Sequence, residues 1–357
     1  MLFGRWLKCF ACSYRVLALS LNFIKKIALK QTLYMKQRVE EIDFLKCIFI
    51  LLMIVFHLRY IGDTYPYAKS LVYTFHMPAF LIISGYLMNV QKTAFQFLRA
   101  MRWIFVPYAL METGYVLMSA VLPVRDRVDD LSFLLWADKL FLHPLGPYWY
   151  LHTLMLCGST YYLVNRFSCL WRTNLAVLIV LALCYAGWSC VGILSLPNAL
   201  YFTAGVALRR SRLQFLDFFR PSAWAVIPFI LLALSPNNLD RALPEGILLT
   251  YLAMSIGLTL VRYLSETIKQ TCCYIGEHTF VLLIFSPIFT MAVKPLANVF
   301  AFDSSGMLFL TVSLLITLIG CFILAWVIDY LHLSPYFWGK ERMMQPFPKY
   351  HAKMTDN

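Results

Sequence analysis

The chain repeatedly presents apolar stretches of about 20 residues, the length that a helix needs to cross the hydrocarbon core of a bilayer. Ten such windows lie at 42–60, 70–90, 103–122, 146–165, 174–191, 193–208, 222–236, 243–262, 277–295 and 307–331. Only 14% of the 357 residues are charged, whereas soluble domains have about a quarter. The sequence therefore predicts an all-α, polytopic membrane helix bundle of about ten transmembrane helices. It excludes disordered, collagen-like and coiled-coil chains and an ordinary cytosolic enzyme.

The net charge of +13 is distributed unevenly between alternate loops. Basic residues precede the first window and occupy the even-numbered loops and the tail, whereas acidic residues occupy the odd-numbered loops. The basic set is Lys36, Arg38, Lys92, Arg99, Arg102, Arg166, Arg172, Arg209, Arg210, Arg212, Arg220, Lys340, Arg342, Lys349 and Lys353; the acidic set is Asp63, Asp126, Asp129, Asp130, Asp138, Asp240, Glu245 and Asp303. Because cytoplasmic loops carry excess Lys and Arg, we expect both termini in the cytoplasm and no nucleic-acid partner.

Charge and hydropathy divide the chain into a basic N-terminal extension at 1–35, a membrane domain at 36–340 and a short cytoplasmic tail at 341–357. The extension has no cleavage site of the signal-peptide type. Met35 resembles a natural start of translation. We therefore interpret the residues before it either as an extension that is not part of the translated protein or as an amphipathic helix in the membrane interface. The Cys9 and Cys12 pair has no partner at zinc spacing, so we expect no metal.

The first window contains ionisable residues, which are costly inside a membrane and are functional candidates by default. At about 100° per residue, Asp43, Lys46 and His57 fall within a sector of about 60° and share one helix face. Lys46 and His57 lie about 16 Å apart along the axis, which places Lys46 at the cytoplasmic mouth and His57 in the outer half of the bilayer. The purely structural alternative is a capped helix start with a snorkelling lysine and an interfacial histidine.

Later windows add further candidates. His76 is a second histidine at a depth comparable with that of the first. Arg99 and Arg102 share one helix face at the cytoplasmic boundary, where their forked donors suit phosphate. The structural alternatives are ordinary positive-inside anchors for the two arginines, close helix packing for Ser84 with its glycine neighbour, and an aromatic belt for Trp149.

The order of these motifs resembles membrane-bound acyltransferase family 3, in particular its branch of fucose 4-O-acetylase-like sugar O-acetyltransferases. That family opens with an acidic residue, a basic residue and a histidine eleven positions later, and continues with a Phe-rich Ser-Gly-Phe/Tyr stretch, an Arg-x-x-Arg motif before Pro-x-Tyr, and a Trp-Tyr/Phe-Leu motif. The matching positions are Asp43, Lys46, His57, Phe80 to Tyr86, Arg99, Arg102, Pro107, Tyr108 and Trp149 to Leu151, with the branch-typical His76-Met77-Pro78. The resemblance covers residues 36–340.

The resemblance implies an O-acyltransferase of a bacterial cytoplasmic (inner) membrane that moves an acetyl group from acetyl-CoA to a hydroxyl of a cell-surface sugar or lipid-linked glycan. The implied roles are catalytic for His57, Asp43 and Lys46, donor-binding for Arg99, Arg102 and Lys46, and acceptor-binding for His76, Ser84, Tyr108 and Trp149. The chain departs from the family at Ser286, where a histidine usually precedes the proline. The function of that position is left open.

The chemistry is consistent with this assignment, because a hydroxyl is a poor nucleophile and histidine is a suitable base at ambient pH. Direct transfer and a covalent acyl-histidine are both compatible with the sequence. The rival function is a transporter or flippase of surface-glycan precursors, in which the intramembrane His, Lys and Asp form a proton relay. A non-catalytic member of the family is the third alternative. The lack of a visible internal repeat disfavours the transporter.

Overall fold

The computed structural model describes residues 39–121, 131–167 and 173–345, and these ranges contain helices and no strand. The α-helices, in chain order, are α1 (Glu40–His57), α2 (Arg59–Thr64), α3 (Pro66–Leu87), α4 (Ala94–Val121), α5 (Phe133–Phe141), α6 (Trp149–Arg166), α7 (Asn174–Cys190), α8 (Leu196–Arg210), α9 (Phe215–Phe218), α10 (Val226–Ala233), α11 (Pro244–Leu260), α12 (Glu266–Glu277), α13 (Thr279–Ala292), α14 (Leu296–Val299), α15 (Met307–Tyr330) and α16 (Ser334–Phe337). The predicted all-α membrane-type bundle is confirmed.

Some sequence predictions concern residues outside the described ranges. These are the extension at 1–35 with Cys9 and Cys12, the basic residues Lys36, Arg38 and Arg172, the loop acids Asp126, Asp129 and Asp130, and the tail residues Lys349 and Lys353. The chain from Glu41 onward forms one compact unit, which contains the helix bundle.

Each of the ten predicted apolar windows coincides with a helix. In the described ranges, three helices are long and apolar enough to cross a membrane: α3, α11 with the turn that follows it, and α15. Helices α12 and α13 add a fourth candidate if they are counted as one span, bent by 78°. The other windows form helices that are shorter or less uniformly apolar, so the figure of ten spans stays a prediction.

Helix α1 is enclosed by other helices, because ten of its 18 residues are buried and they occupy most of its circumference. On one side, the ring of Phe49 packs edge-on against Phe75 and Phe80 of α3, with centroid distances of 6.2 and 6.1 Å. On another side, the Leu45 side chain packs against Gly257 of α11. Within this packing Asp43 is buried, and Lys46 and His57 are partly buried.

Glycines allow helix backbones to touch at two places that matter for the site. A Cβ on Gly85 of α3 would lie 2.1 Å from a carbonyl oxygen of α8, and a Cβ on Gly205 of α8 would lie 2.0 Å from a carbonyl oxygen of α3. A Cβ on Gly276 of α12 would lie 1.8 Å from the carbonyl oxygen of Asp43. Small residues permit this close approach between membrane helices. The contacts fix α3 against α8 and α12 against the start of α1.

The segment after α15 is tied back onto the bundle by two side chains. The carboxylate of Asp329 accepts hydrogen bonds from the backbone N–H groups of Met343 and Met344 at 2.7 and 2.9 Å. The Nε2 atom of His278 accepts the N–H of Gln345 at 3.0 Å. His278 also lies at the break between α12 and α13, so it joins the bend in this helix pair to the end of the described chain.

Candidate active site

A cavity of about 520 Å³ lies at the end of the bundle where α1 ends at His57. Ligand pockets in proteins commonly have volumes of about 300–1,000 Å³. We call it the histidine cavity, and its polar and aromatic lining residues are His57, Tyr73, His76, His143, Trp149, His152, Thr153, Ser195, Asn198 and Arg241. The cavity brings together three residues that the sequence analysis selected, namely His57, His76 and Trp149.

His57 and His76 are held in the same tautomer by backbone carbonyl groups one helical turn earlier. The Nδ1 of His57 lies 2.7 Å from the carbonyl oxygen of Met53, and the Nδ1 of His76 lies 2.6 Å from that of Val72. Because a carbonyl oxygen can only accept, each Nδ1 donates its hydrogen, and Nε2 of the neutral ring is left as an acceptor. The Tyr73 ring contacts both imidazoles, with centroid distances of 6.1 and 5.2 Å.

Two buried acceptor atoms at the cavity have no hydrogen-bond partner within the described ranges. They are Nε2 of His76 and Oδ1 of Asn198, in residues that are only 2% and 3% exposed. Leaving such an atom unpaired costs about 1–3 kcal/mol, so each one requires an explanation. With Nε2 of His57, the cavity offers three acceptors for O–H donors. The arrangement suits a ligand that carries several hydroxyl groups.

The loop between α5 and α6 forms the rim of the cavity and is held by two carboxylates. The Oδ1 of Asp138 lies 2.7 Å from Nδ1 of His143. Burial alone would raise the pKa of Asp138, but hydrogen bonds from His143 and Lys139 outweigh burial and hold its pKa below the usual value. In α4, Oε1 of Glu112 accepts the N–H of Leu145 at 2.6 Å. These bonds fix the position of His143 beside the opening.

The opposite end of α1 carries the residues predicted to bind the donor. The Nζ of Lys46 lies 2.7 Å from Oδ1 of Asp43, and their side chains are 18% and 7% exposed. Arg99 and Arg102 are exposed near the start of α4, where the guanidinium of Arg102 lies 5.1 Å from the ring centroid of Trp103. The chain reverses direction between α1 and α3 and again between α3 and α4. The arginines therefore lie toward the Lys46 end and not at the histidine cavity.

Ser84 and Tyr108 lie at contacts between helices and do not line the histidine cavity. The hydroxyls of Ser84 and Tyr150 share a hydrogen bond of 2.7 Å, which joins α3 to α6. The hydroxyl of the fully buried Tyr108 donates to the carbonyl oxygen of Leu140 at 2.7 Å. The Tyr108 ring lies 6.5 Å from that of His152 and supports the cavity wall from behind. The acceptor-binding functions assigned to Ser84 and Tyr108 stay predictions.

The cavity also includes or depends on residues that the sequence analysis did not select: Glu112, His152, Asn198 and Arg241. Three of them could have been found in the sequence. Glu112 and His152 are ionisable residues within the third and fourth apolar windows, and Arg241 is a basic residue in a loop whose other charges are acidic. Asn198 gave no such signal, because its importance depends on which helices meet at this end of the bundle.

Comparison with known proteins settles the family. A family model described as an acyltransferase domain, that of acyltransferase family 3, matches residues 39–326. The chain belongs to membrane acyltransferase family 3. The matched region includes every residue of the histidine cavity, and the resemblance seen in the sequence is confirmed. The protein is therefore an acyltransferase and a multi-pass membrane protein. No curated protein and no solved structure matches the chain significantly.

Proposed function

We propose that this acyltransferase moves an acetyl group from acetyl-CoA to a hydroxyl of a cell-surface sugar or lipid-linked glycan, in the inner membrane of a bacterium. The observation that carries the proposal is the set of unsatisfied acceptors in the histidine cavity, Nε2 of His76 and Oδ1 of Asn198, beside Nε2 of His57. Sugar hydroxyls are O–H donors, so a bound sugar would supply the hydrogen bonds that these acceptors lack.

In the proposed reaction, the acceptor hydroxyl binds beside Nε2 of His57, which removes its proton as the oxygen attacks the thioester carbonyl carbon. A C–O bond forms and the C–S bond breaks. CoA leaves as a thiolate and takes the proton from the imidazolium ring. The hydrogen bond from Nδ1 to Met53 fixes the tautomer in which Nε2 is the base. A covalent acyl-histidine pathway would use the same nitrogen as the nucleophile.

The donor is proposed to enter from the opposite end, which we assign to the cytoplasmic side together with both termini. Arg99, Arg102 and Lys46 would bind the CoA phosphates, because guanidinium and ammonium groups form strong hydrogen bonds to phosphate oxygens. Asp43 would hold the Lys46 ammonium in place through their ion pair. Lys46 and His57 are separated by about 16 Å along α1, a distance that an extended pantetheine arm can span.

The donor site is tested by Arg99→Ala and Arg102→Ala. We expect each to weaken acetyl-CoA binding about tenfold, because a hydrogen bond to a charged group contributes about 1.5–3 kcal/mol and 1.4 kcal/mol corresponds to a factor of ten. The measurement is equilibrium binding of radiolabelled acetyl-CoA to the protein purified in detergent. Arg262→Ala is the matched control, since Arg262 is exposed in the turn directly after α11.

Two results would contradict this proposal in different ways. If Arg99→Ala and Arg102→Ala bind acetyl-CoA as tightly as the wild type and the Arg262→Ala control, Arg99 and Arg102 are not part of the donor site. No saturable acetyl-CoA binding by folded wild-type protein would favour transport of a glycan precursor, with the intramembrane histidines acting as a proton relay.

A further inference from the structure

Arg241 is held at the histidine cavity through its backbone and its side chain. The Tyr201 hydroxyl donates to the Arg241 carbonyl oxygen at 2.7 Å. The neighbouring Asp240 is engaged in its own turn, because its Oδ1 accepts the N–H of Ala242 at 2.8 Å. The guanidinium carbon of Arg241 lies 5.8 Å from the ring centroid of Trp149, a cation–π distance. The cationic group is therefore placed against the aromatic part of the cavity wall.

Among the described residues, no carboxylate forms an ion pair with Arg241, although its side chain is half-buried. The neighbouring Asp240 acts on the guanidinium electrostatically without pairing with it. No Asp or Glu is among the described residues that line the cavity. A partly buried charge is costly unless it is paired. An anionic ligand would supply the missing partner.

We propose that Arg241 binds an anionic group of the acceptor, so that the acceptors of this enzyme are acidic glycans and not neutral ones. The proposal rests on the proposed function, because it names the substrate class of the same site. A guanidinium group presents paired N–H donors that match a carboxylate or a phosphate. His76 and Asn198 would accept hydroxyls of the same sugar. The anion is a carboxylate on the sugar or a phosphate that links the sugar to a carrier.

The test compares three acceptor probes with the detergent-purified enzyme and saturating radiolabelled acetyl-CoA. Methyl glucoside is neutral, methyl glucuronide carries a carboxylate and glucose 1-phosphate carries a phosphate. We expect a kcat/KM for acetyl transfer that is about tenfold higher for a charged probe than for methyl glucoside, as one charge-assisted contact predicts. The charged probe that is preferred identifies the source of the anion.

Variants of Arg241 connect this preference to the residue. Arg241→Gln is expected to raise KM for the preferred charged probe about tenfold and to remove the preference over methyl glucoside. Arg241→Lys keeps the positive charge but lacks the paired N–H donors of the guanidinium group, so it should give an intermediate preference. This variant also tests the proposal if Arg241→Gln fails to fold. Arg59→Gln is the control, because Arg59 is exposed near the end of α1 and pairs with Asp63 at 3.4 Å. It should keep the preference.

Three results would overturn the proposal. Methyl glucoside could match the charged probes, or neither charged probe could be acetylated by a protein that hydrolyses acetyl-CoA. Alternatively, Arg241→Gln could weaken acetyl-CoA binding as Arg99→Ala does, which would assign Arg241 to the donor. Failure of the wild type to bind acetyl-CoA is a separate result that overturns the proposed function and this proposal together.

Discussion

At the scale of single residues, three histidines share a local geometry but differ in what their second nitrogen does. His57, His76 and His278 each place Nδ1 within 2.6–2.7 Å of the carbonyl oxygen four residues earlier. The Nε2 of His278 accepts the N–H of Gln345, whereas Nε2 of His76 has no partner in the described ranges and the ring of His57 lines the same cavity. The second nitrogen of His278 is therefore used in a structural bond, and we propose that those of His57 and His76 bind the acceptor.

We expect His278→Ala to lower the free energy of unfolding by about 1 kcal/mol, since the Gln345 N–H loses its acceptor. Acetyl-CoA hydrolysis per folded molecule should not change, because His278 lies outside the cavity. Tryptophan fluorescence during thermal unfolding in detergent, together with a hydrolysis assay on the folded fraction, checks both statements. Loss of hydrolysis without loss of stability would contradict this division between the histidines.

The cavity could be predicted from the sequence only in part. His57, His76 and Trp149 were found because an ionisable or aromatic residue in an apolar window is conspicuous within its own helix. Asn198 and Arg241 belong to distant parts of the chain, and nothing in one helix indicates which later loop will close over it. Helix periodicity likewise could not show that Tyr108 donates to a backbone carbonyl and does not reach the cavity.

At the scale of elements, the cavity depends on the direct contact between α3, which carries His76, and α8, which carries Asn198. Gly85 and Gly205 leave no room for a side chain at this contact, because a Cβ on either would collide with the backbone of the other helix. Interfaces between membrane helices are built from small residues for this reason. A larger residue would separate the two helices and move His76 relative to Asn198.

We expect Gly85→Leu to destabilise the protein by about 1–3 kcal/mol or more, the range found for overpacked interiors, and to reduce hydrolysis in the molecules that fold. Gly114→Ala in α4 is the matched control, because a Cβ there meets nothing within 4 Å, and alanine favours a helix interior over glycine by about 1 kcal/mol. Thermal unfolding in detergent compares the variants. Equal melting temperatures for Gly85→Leu and the wild type would contradict the close contact.

The bend between α12 and α13 shows what apolar windows do not contain. Hydropathy predicts one window at 277–295, and the structure has two helices inclined by 78° that meet at His278. The break occurs where His278 leaves helical geometry and binds Gln345. Hydropathy predicts the helices but not this interaction, because the partner of His278 lies beyond α15.

In the molecule as a whole, the two proposed binding sites lie at opposite ends of α1. The Lys46 end has exposed cations suited to CoA phosphates, whereas the other end has a cavity with acceptors for hydroxyl groups. Their assignment to the inner and outer sides comes from the sorting of Lys and Arg among the loops. This orientation is a prediction of the sequence.

The orientation is checked with an epitope tag after Asn357 in the full chain. We expect external protease to remove the tag in inverted membrane vesicles and to leave it intact in spheroplasts, because the basic tail predicts a cytoplasmic C-terminus. The control for protease accessibility is the same tag fused to alkaline phosphatase on the periplasmic side. Removal of the C-terminal tag from intact spheroplasts would reverse the orientation and with it the side from which the donor enters.

The proposed function of His57 is tested most directly by comparing wild-type protein with His57→Ala, measuring acetyl-CoA binding and slow acetyl-CoA hydrolysis on the same detergent-purified samples. We expect the variant to bind acetyl-CoA with nearly the wild-type affinity, because the proposed site for the donor phosphates is at the other end of α1. We expect its hydrolysis to be at least about a hundredfold slower, the lower end of what a general base contributes. Unchanged hydrolysis in a folded His57→Ala protein would contradict the assignment of His57 as the reacting base.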